Sequence, residues 1–243
     1  MLGMRPVDIM RATEDIAHIG SAFYFTPETV EVGKAHGLSG FRFYFIGRGG
    51  VLGDVDADVV RAAFGYFQPD LVRKMWESSM AIMPPRDAAR LYLSCAHDLG
   101  RRKFSEVSAL EAFVDAANTV IDAVEGASLP LFVGVRAEPV PEDLPAAAMH
   151  QAIVLRELRG SVHLLSHTAV GLNSSRAHAI RRPDDVGMFG YDEAPECTED
   201  DRVAWDRAQA LTDEILTPAY AALSDEQAHA LIDGTKAMHA AMA

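Results

Sequence analysis

The chain has 243 residues, of which 49% are hydrophobic, so a buried core is available and global disorder is excluded. Lysine and arginine number 22 against 35 aspartate and glutamate residues, and the formal charge is −13. Because nucleic-acid binding draws most of its affinity from neutralised phosphates, this balance argues against a DNA or RNA partner and an anionic membrane surface.

The sequence also favours a cytoplasmic protein. No apolar run approaches the roughly 20 residues that a membrane span needs. The segment from Met1 to Ile16 carries Asp8 and lacks the apolar core of a signal peptide. Cys95 and Cys197 are the only cysteines, and they form neither a disulfide framework nor a zinc-ligand spacing.

Helix signals dominate the first half. Apolar periodicity predicts a helix over residues 8–19, and Thr26-Pro27-Glu28 has the capping hydroxyl, the proline and the acid of a helix start. Further helices are predicted over residues 56–67, 69–80, 85–102 and 105–125. Residues 41–46 are aromatic and alternate loosely like a strand, but no partner strand is evident. We interpret them as a buried helix or an irregular turn.

The second half follows a proline-rich segment. Residues 127–143 are predicted to connect an N-terminal helical lobe, residues 1–126, to a C-terminal helical lobe, residues 144–243. Helices are predicted over residues 144–158, 161–172, 175–180, 199–223 and 224–242, with a loop over residues 182–198. The fold class is therefore all-α, and a helical pair ending at Met242 could support a homodimer.

Two ionisable residues fall inside an apolar helix face. On a helix, His150 and Glu157 lie seven positions apart and within the arc formed by Met149, Ile153, Val154 and Leu158. Buried ionisable groups need partners, so the pair either satisfies itself and nearby backbone or faces a cavity with a ligand, metal or water. In an enzyme, His150 would be the general acid or base and Glu157 its orienting partner.

A second histidine pattern follows directly. His163 and His167 are four residues apart, which places both imidazoles on one helix face and is a known metal-binding geometry. The chain has nine histidines, so such a pair arises easily by chance, and the HExxH pattern is absent. With Glu157 and His150, a site of three or four ligands is conceivable.

The glycine-rich run from Gly47 to Gly53 matches neither the Walker nor the dinucleotide pattern and is interpreted as a tight turn. Arg48, beside Tyr44, could bind an anionic or aromatic ligand by charge and stacking. His18 lies opposite the apolar stripe of its helix, which places it on the surface unless the cluster of residues 23–25 folds over it.

Several of these residues, among them His150, Glu157 and His163, also belong to motifs that the sequence shares with a known family. The sequence resembles the actinobacterial SalK-type proteins, which are catalogued as a helix-turn-helix family. The motifs that carry the resemblance are His18, Tyr24-Phe25, Pro27-Glu28, Gly37 to Phe41, Tyr44-Phe45, Gly47-Arg48, Leu52-Gly53, Phe64 to Phe67 with Pro69, His150, Leu155-Arg156-Glu157, Arg159-Gly160, His163, Gly171-Leu172, Leu211-Thr212-Asp213 and Pro218.

The resemblance implies an all-helical fold with a helix-turn-helix-like portion in the second half, and it implies little about activity. One departure is that family members continue after Leu172 with a Trp-containing helix and a wing. Here the chain has a short acidic loop from Arg182 to Thr198, so the DNA-reading portion looks abbreviated.

Three hypotheses follow. The first is a small-molecule-binding protein, or an enzyme of specialised metabolism, whose inter-lobe pocket is lined by His150, Glu157 and His163 with His18, Tyr24, Tyr44 and Arg48 opposite. The second is a helix-turn-helix regulator. The third is a metal-dependent enzyme using His163, His167 and Glu157. No cofactor is indicated by any motif.

Overall fold

The computed structural model describes residues 4–243 and is all-α, as predicted, with no strand among those residues. The helices are α1 (Pro6–Ala12), α2 (Ile16–Ile19), α3 (Pro27–Ala35), α4 (Phe41–Gly49), α5 (Ala57–Phe64), α6 (Pro69–Met80), α7 (Pro85–Phe104), α8 (Leu110–Asp122), α9 (Pro130–Arg136), α10 (Leu144–Ala169), α11 (Ser174–Arg181), α12 (Glu199–Tyr220) and α13 (Asp225–Met242). Short 3₁₀ turns follow α4 and α11.

Local capping chemistry explains many helix starts. The Thr26 side chain accepts a hydrogen bond from the Thr29 backbone at the start of α3. Capping boxes begin α12, at Thr198 with Asp201, and α13, at Ser224. Each box satisfies backbone N–H groups that have no partner within the helix. These residues are local in sequence, and the predicted helix starts there are confirmed.

Two segments differ from the prediction. Residues 8–19 form two short helices, α1 and α2, because the turn after Ala12 interrupts them. The two helices expected over residues 144–158 and 161–172 form one helix, α10, which runs from Leu144 through Gly160 to Ala169. A glycine inside a helix costs only about 1 kcal/mol. Burial of the neighbouring Leu158 and Val162 stabilises the continuous helix by more than that. Residues 41–46 are helical, within α4.

Helix α10 lies at the centre of the packing. It contacts α7, α8, α9 and α12, so the largest hydrophobic cluster contains residues from both predicted lobes. Gly100 on α7 permits one close approach: a Cβ atom there would lie 2.6 Å from the Pro145 carbonyl oxygen. The predicted connector contains α9, whose Leu131 and Phe132 are buried. The division into two lobes stays a prediction.

Two pairs of consecutive helices are joined by four-residue turns that contain a glycine. Residues 65–68 join α5 to α6, and residues 170–173 join α10 to α11. Gly65 and Gly171 each have φ of 75° in these turns, a conformation that favours glycine. The second pair lies where the helix-turn-helix-like portion was expected. No helix within residues 4–243 has the length and apolar character needed to cross a membrane.

Candidate functional site

A buried ion network surrounds Glu157 on α10. Arg48 of α4 donates two hydrogen bonds to the carboxylate, from Nε to Oε1 at 2.9 Å and from Nη2 to Oε2 at 2.8 Å. Arg156 donates from Nη1 to Oε1 at 2.6 Å. The Tyr24 hydroxyl lies 3.4 Å from Oε1, and Arg48 also donates to the Tyr44 hydroxyl. The sequence singled out four of these five residues, and the structure brings them together.

The network contains more positive than negative charge. The Glu157 side chain is 1% exposed, and those of Arg48 and Arg156 are 13% and 23% exposed. Burial by itself raises the pKa of Glu157, but the charges of Arg48 and Arg156 outweigh it and lower the pKa to about 2. The carboxylate is therefore ionised at neutral pH. Two guanidinium groups face one carboxylate, which leaves one positive charge without a partner in the network.

Aromatic side chains form the wall of the network. The guanidinium of Arg48 lies 4.5 Å from the ring centre of Phe64, and that of Arg156 lies 5.0 Å from the ring centre of Tyr24. Both distances suit cation–π attraction. Burial raises the pKa of the Tyr24 hydroxyl, so the hydroxyl stays protonated and donates to Glu157. Phe25, beside Tyr24, is 50% exposed.

His150 does not pair with Glu157. Seven residues along a helix amount to about 10 Å, which is too far for a hydrogen bond. The Nδ1 atom of His150 instead lies 3.1 Å from Nε2 of His97 on α7. Its Nε2 atom is buried with no hydrogen-bond partner among the described residues. The interpretation of Glu157 as the orienting partner of His150 is therefore wrong, and a catalytic role for either residue stays a prediction.

The predicted metal set is not assembled. Among residues 4–243, no group of three His, Cys, Asp or Glu side chains is placed to hold a metal ion. Glu157 is engaged by its two arginines, whereas His163 and His167 lie further along α10 with ring centres 4.1 Å apart. His163 contacts Thr212 of α12, with Nδ1 2.9 Å from the hydroxyl oxygen. The three-ligand site with Glu157 is wrong for this reason.

His18 does not join the network. It is exposed, and its ring centre lies 5.4 Å from that of His239 on α13. The cluster of residues 23–25 does not fold over it, so the surface position expected from the helix pattern is confirmed. Two surface depressions, of about 380 and 440 Å³, lie around Asp54 and Met80. Neither is lined by Arg48 or His150, the residues that the predicted inter-lobe pocket was to join.

A face of α10 next to the network was missed by sequence reasoning. Arg156, Arg159, Gly160, His163 and His167 share this face, because their spacing of three and four residues follows the helical repeat. A Cβ atom at Gly160 would meet no atom within 4 Å, so space is open there. We call this surface the Gly160 face. The prediction of a helix break at Gly160 concealed it.

Tyr66 borders the Gly160 face, and burial together with the charge of Arg181 lowers the pKa values of the two histidines of that face. Tyr66, in the turn between α5 and α6, has its ring centre 5.9 Å from that of His167. Burial raises the pKa of Tyr66 to about 12, while the positive charges of Arg181 and Arg159 oppose that rise. Arg181 ends α11 and, unlike Arg176 and Arg182, has no ion pair with any described residue.

A model described as a helix-turn-helix family matches residues 9–194, which is more than half of the chain. The chain belongs to this helix-turn-helix family. No curated protein and no solved structure matches it. The matched region contains the ion network around Glu157, the Gly160 face, and the α5–α6 and α10–α11 turns. It ends before α12 begins.

In this helix-turn-helix family member, two of the three arginines of α11 and its C-terminal cap are paired with acidic side chains. Arg176 lies 3.2 Å from Asp201 of α12, and Arg182 lies 3.8 Å from Asp185. The acidic first turn of α12 thus borders α11. On α6, Arg73 similarly pairs with Asp58 at 3.3 Å.

Proposed function

We propose that this helix-turn-helix family protein binds a small molecule through an anionic group, at the Gly160 face. The observation that carries the proposal is an excess of guanidinium charge beside open space in a chain of net charge −13. The network around Glu157 has one guanidinium more than it has carboxylates, and Arg181 adds a second unpaired charge. A carboxylate on a ligand would balance one of these charges, and a doubly ionised phosphate group would balance both.

The environment supports binding rather than a purely structural role. Half-buried guanidiniums are only partly hydrated, so an incoming anion has less water to displace than at a fully exposed arginine. Arg156 uses one N–H group on Glu157 and remains 23% exposed. Glu157 and the Tyr24 ring hold it in place, so little side-chain freedom is lost when a ligand binds.

Titration calorimetry with inorganic phosphate and with benzoate tests the proposal. The expected result is binding by the wild type and a roughly tenfold or greater loss in Arg181→Gln, because a hydrogen bond to a charged group contributes about 1.5–3 kcal/mol. Gly160→Phe places a ring in the open space and should abolish binding while the protein stays folded. Circular dichroism checks the fold of each variant.

A matched control removes the same charge elsewhere. Arg101 pairs with Asp143 near the start of α10, about 25 Å of helix away from Gly160. Arg101→Gln should leave the affinity for both anions unchanged. Equal losses in Arg101→Gln and Arg181→Gln would mean that only the overall charge matters. No binding of either anion by the wild type would overturn the proposal.

The second candidate function is that of a helix-turn-helix transcriptional regulator. It is favoured by the family and by the four-residue turn between α10 and α11. The ion pairs of Arg176 and Arg182 oppose it. Fluorescence polarisation with a labelled random-sequence DNA duplex at low salt tests it, because non-specific affinity is greatest there. We expect no binding, and saturable binding that Arg176→Gln weakens would favour the regulator.

Three finer assignments are also proposals. Membership of the SalK-type branch is supported by the motifs around Tyr24, Arg48 and Glu157, whose side chains meet in the network. A cytoplasmic location is supported by the cysteine usage. A homodimer through the C-terminal helices is supported only by the sequence pattern, and size-exclusion chromatography with light scattering would test it.

A further inference from the structure

Hydrogen-bond directions fix the proton on His163. The Thr212 hydroxyl donates its single hydrogen to the Ala208 carbonyl oxygen at 2.7 Å. The same hydroxyl oxygen lies 2.9 Å from Nδ1 of His163, so it must accept a hydrogen bond from that nitrogen. Nδ1 therefore carries the proton, and Nε2 of the neutral ring presents a lone pair.

The surroundings keep this imidazole neutral. His163 is 3% exposed, and burial together with the neighbouring His167, Arg159 and Arg181 lowers its pKa to about 3. The nearby arginines also disfavour a metal cation at Nε2, because they repel positive charge. A hydrogen-bond donor is the partner that this environment favours.

The protein leaves hydrogen-bonding capacity unused here. Both ring nitrogens of His167 are buried without a partner among the described residues, as are Nε2 of His178 and Oε1 of Gln209. His167 is 1% exposed and its ring centre lies 5.3 Å from that of Trp205. Gln209 lies four residues after Trp205 on α12, so it shares the face that packs on α10. Buried polar groups without partners are uncommon in folded proteins, and they are able to bind water or a polar ligand.

We propose that Nε2 of His163 accepts a hydrogen bond from the ligand whose anionic group is held at the Gly160 face. The inference rests on the proposed function and narrows it to a class of ligand: a small anion that carries a hydroxyl or N–H donor near its acid group. His163 lies one helical turn beyond Arg159 and three residues beyond Gly160 on α10. One small molecule can therefore contact the Gly160 face and His163 together. Thr212 is a positioning residue that fixes the tautomer.

A pair of probes that differ by one hydroxyl tests the assignment. Lactate and propionate have the same charge, and only lactate carries a 2-hydroxyl donor. Because one neutral hydrogen bond contributes about 0.5–1.5 kcal/mol, the wild type should bind lactate about 3- to 10-fold more tightly. In Thr212→Val the preference should disappear while propionate affinity is kept, and Thr212→Ser, which retains the hydroxyl, should keep the preference.

Nitrogen NMR of the wild-type histidines gives a reading that needs no variant. The expected spectrum has a protonated Nδ1 and an unprotonated Nε2 at His163, and lactate but not propionate should shift the Nε2 resonance. If both acids bind equally and Arg181→Gln weakens both, the assignment of His163 fails and the proposed anion site stands. If neither acid binds while phosphate or benzoate does, the His163 assignment fails and the proposed function stands; if none of the four anions binds, the proposed function itself fails. If lactate shifts only exposed histidines, the His163 assignment is also overturned.

Discussion

Two helical glycines in contrasting surroundings allow a sharp test of the Gly160 face. Gly160 lies inside α10 with open space where a Cβ atom would stand. Gly100 lies inside α7, where a Cβ atom would be 2.6 Å from the Pro145 carbonyl oxygen and 2.8 Å from the Met149 Cβ atom. We predict that Gly160→Ala stabilises the protein and that Gly100→Ala destabilises it relative to Gly160→Ala.

The expected magnitudes follow from two terms. Alanine is favoured over glycine in a helix interior by about 0.5–1 kcal/mol, and this gain applies to both variants. Only Gly100→Ala adds an overpacking cost, of about 1–3 kcal/mol, because the Pro145 carbonyl oxygen and the Met149 Cβ atom move only with the α10 backbone. The free energies of unfolding of the two variants should therefore differ by about 1–3 kcal/mol.

Urea unfolding followed by far-UV circular dichroism measures this difference. For Gly160→Ala we expect a higher midpoint with an unchanged slope. For a chain of this size, the gain corresponds to a thermal midpoint about 1–4 °C higher. A Gly160→Ala variant destabilised as much as Gly100→Ala would show that the Gly160 face is packed in solution, and the proposed binding site would lose its basis.

Three further predictions concern charge, protonation and the α5–α6 turn. Glu157→Gln leaves Arg48 without its buried carboxylate and should lower the free energy of unfolding by about 3–5 kcal/mol in urea, with part of the loss recovered in Arg48→Met/Glu157→Gln. Because the pKa values of His163 and His167 are lowered to about 3 and 4, the unfolded chain binds more protons than the folded one below the ordinary pKa of 6.5. Stability should be fully present above pH 6.5 and fall by up to about 1.4 kcal/mol per pH unit for each histidine towards pH 4, and a His167→Gln variant whose pH profile matches the wild type would contradict this. Gly65→Ala should lower the free energy of unfolding by at least the backbone strain of about 1–3 kcal/mol, since the φ of this position is 75°. The new Cβ atom would also contact the Leu164 side chain, which adds to the loss. An unchanged urea midpoint would refute this prediction.

The sequence predicts what local chemistry determines. The helix over residues 69–80 is found with those bounds, because Pro69 suits the first helical turn and the preceding Gln68 caps it. The partners of Glu157 and His150 could not be predicted in this way, because they lie far away along the chain. Arg48 lies 109 residues before Glu157, and His97 lies 53 residues before His150. Helix periodicity shows that a carboxylate will be buried, but only the tertiary packing decides which cation meets it.

The placement of arginines also bears on the two candidate functions. In a DNA-reading helix, basic side chains project from the surface and phosphate groups neutralise them. Here Arg176 and Arg182 are neutralised by Asp201 and Asp185 of the same chain, while Arg48 and Arg156 are turned inward around Glu157. A phosphate backbone would have to displace these surface pairs to contact Arg176 and Arg182. A small anion needs only the N–H groups that remain open on Arg156 and Arg181, so this arrangement within the helix-turn-helix family fits a small ligand better than a duplex.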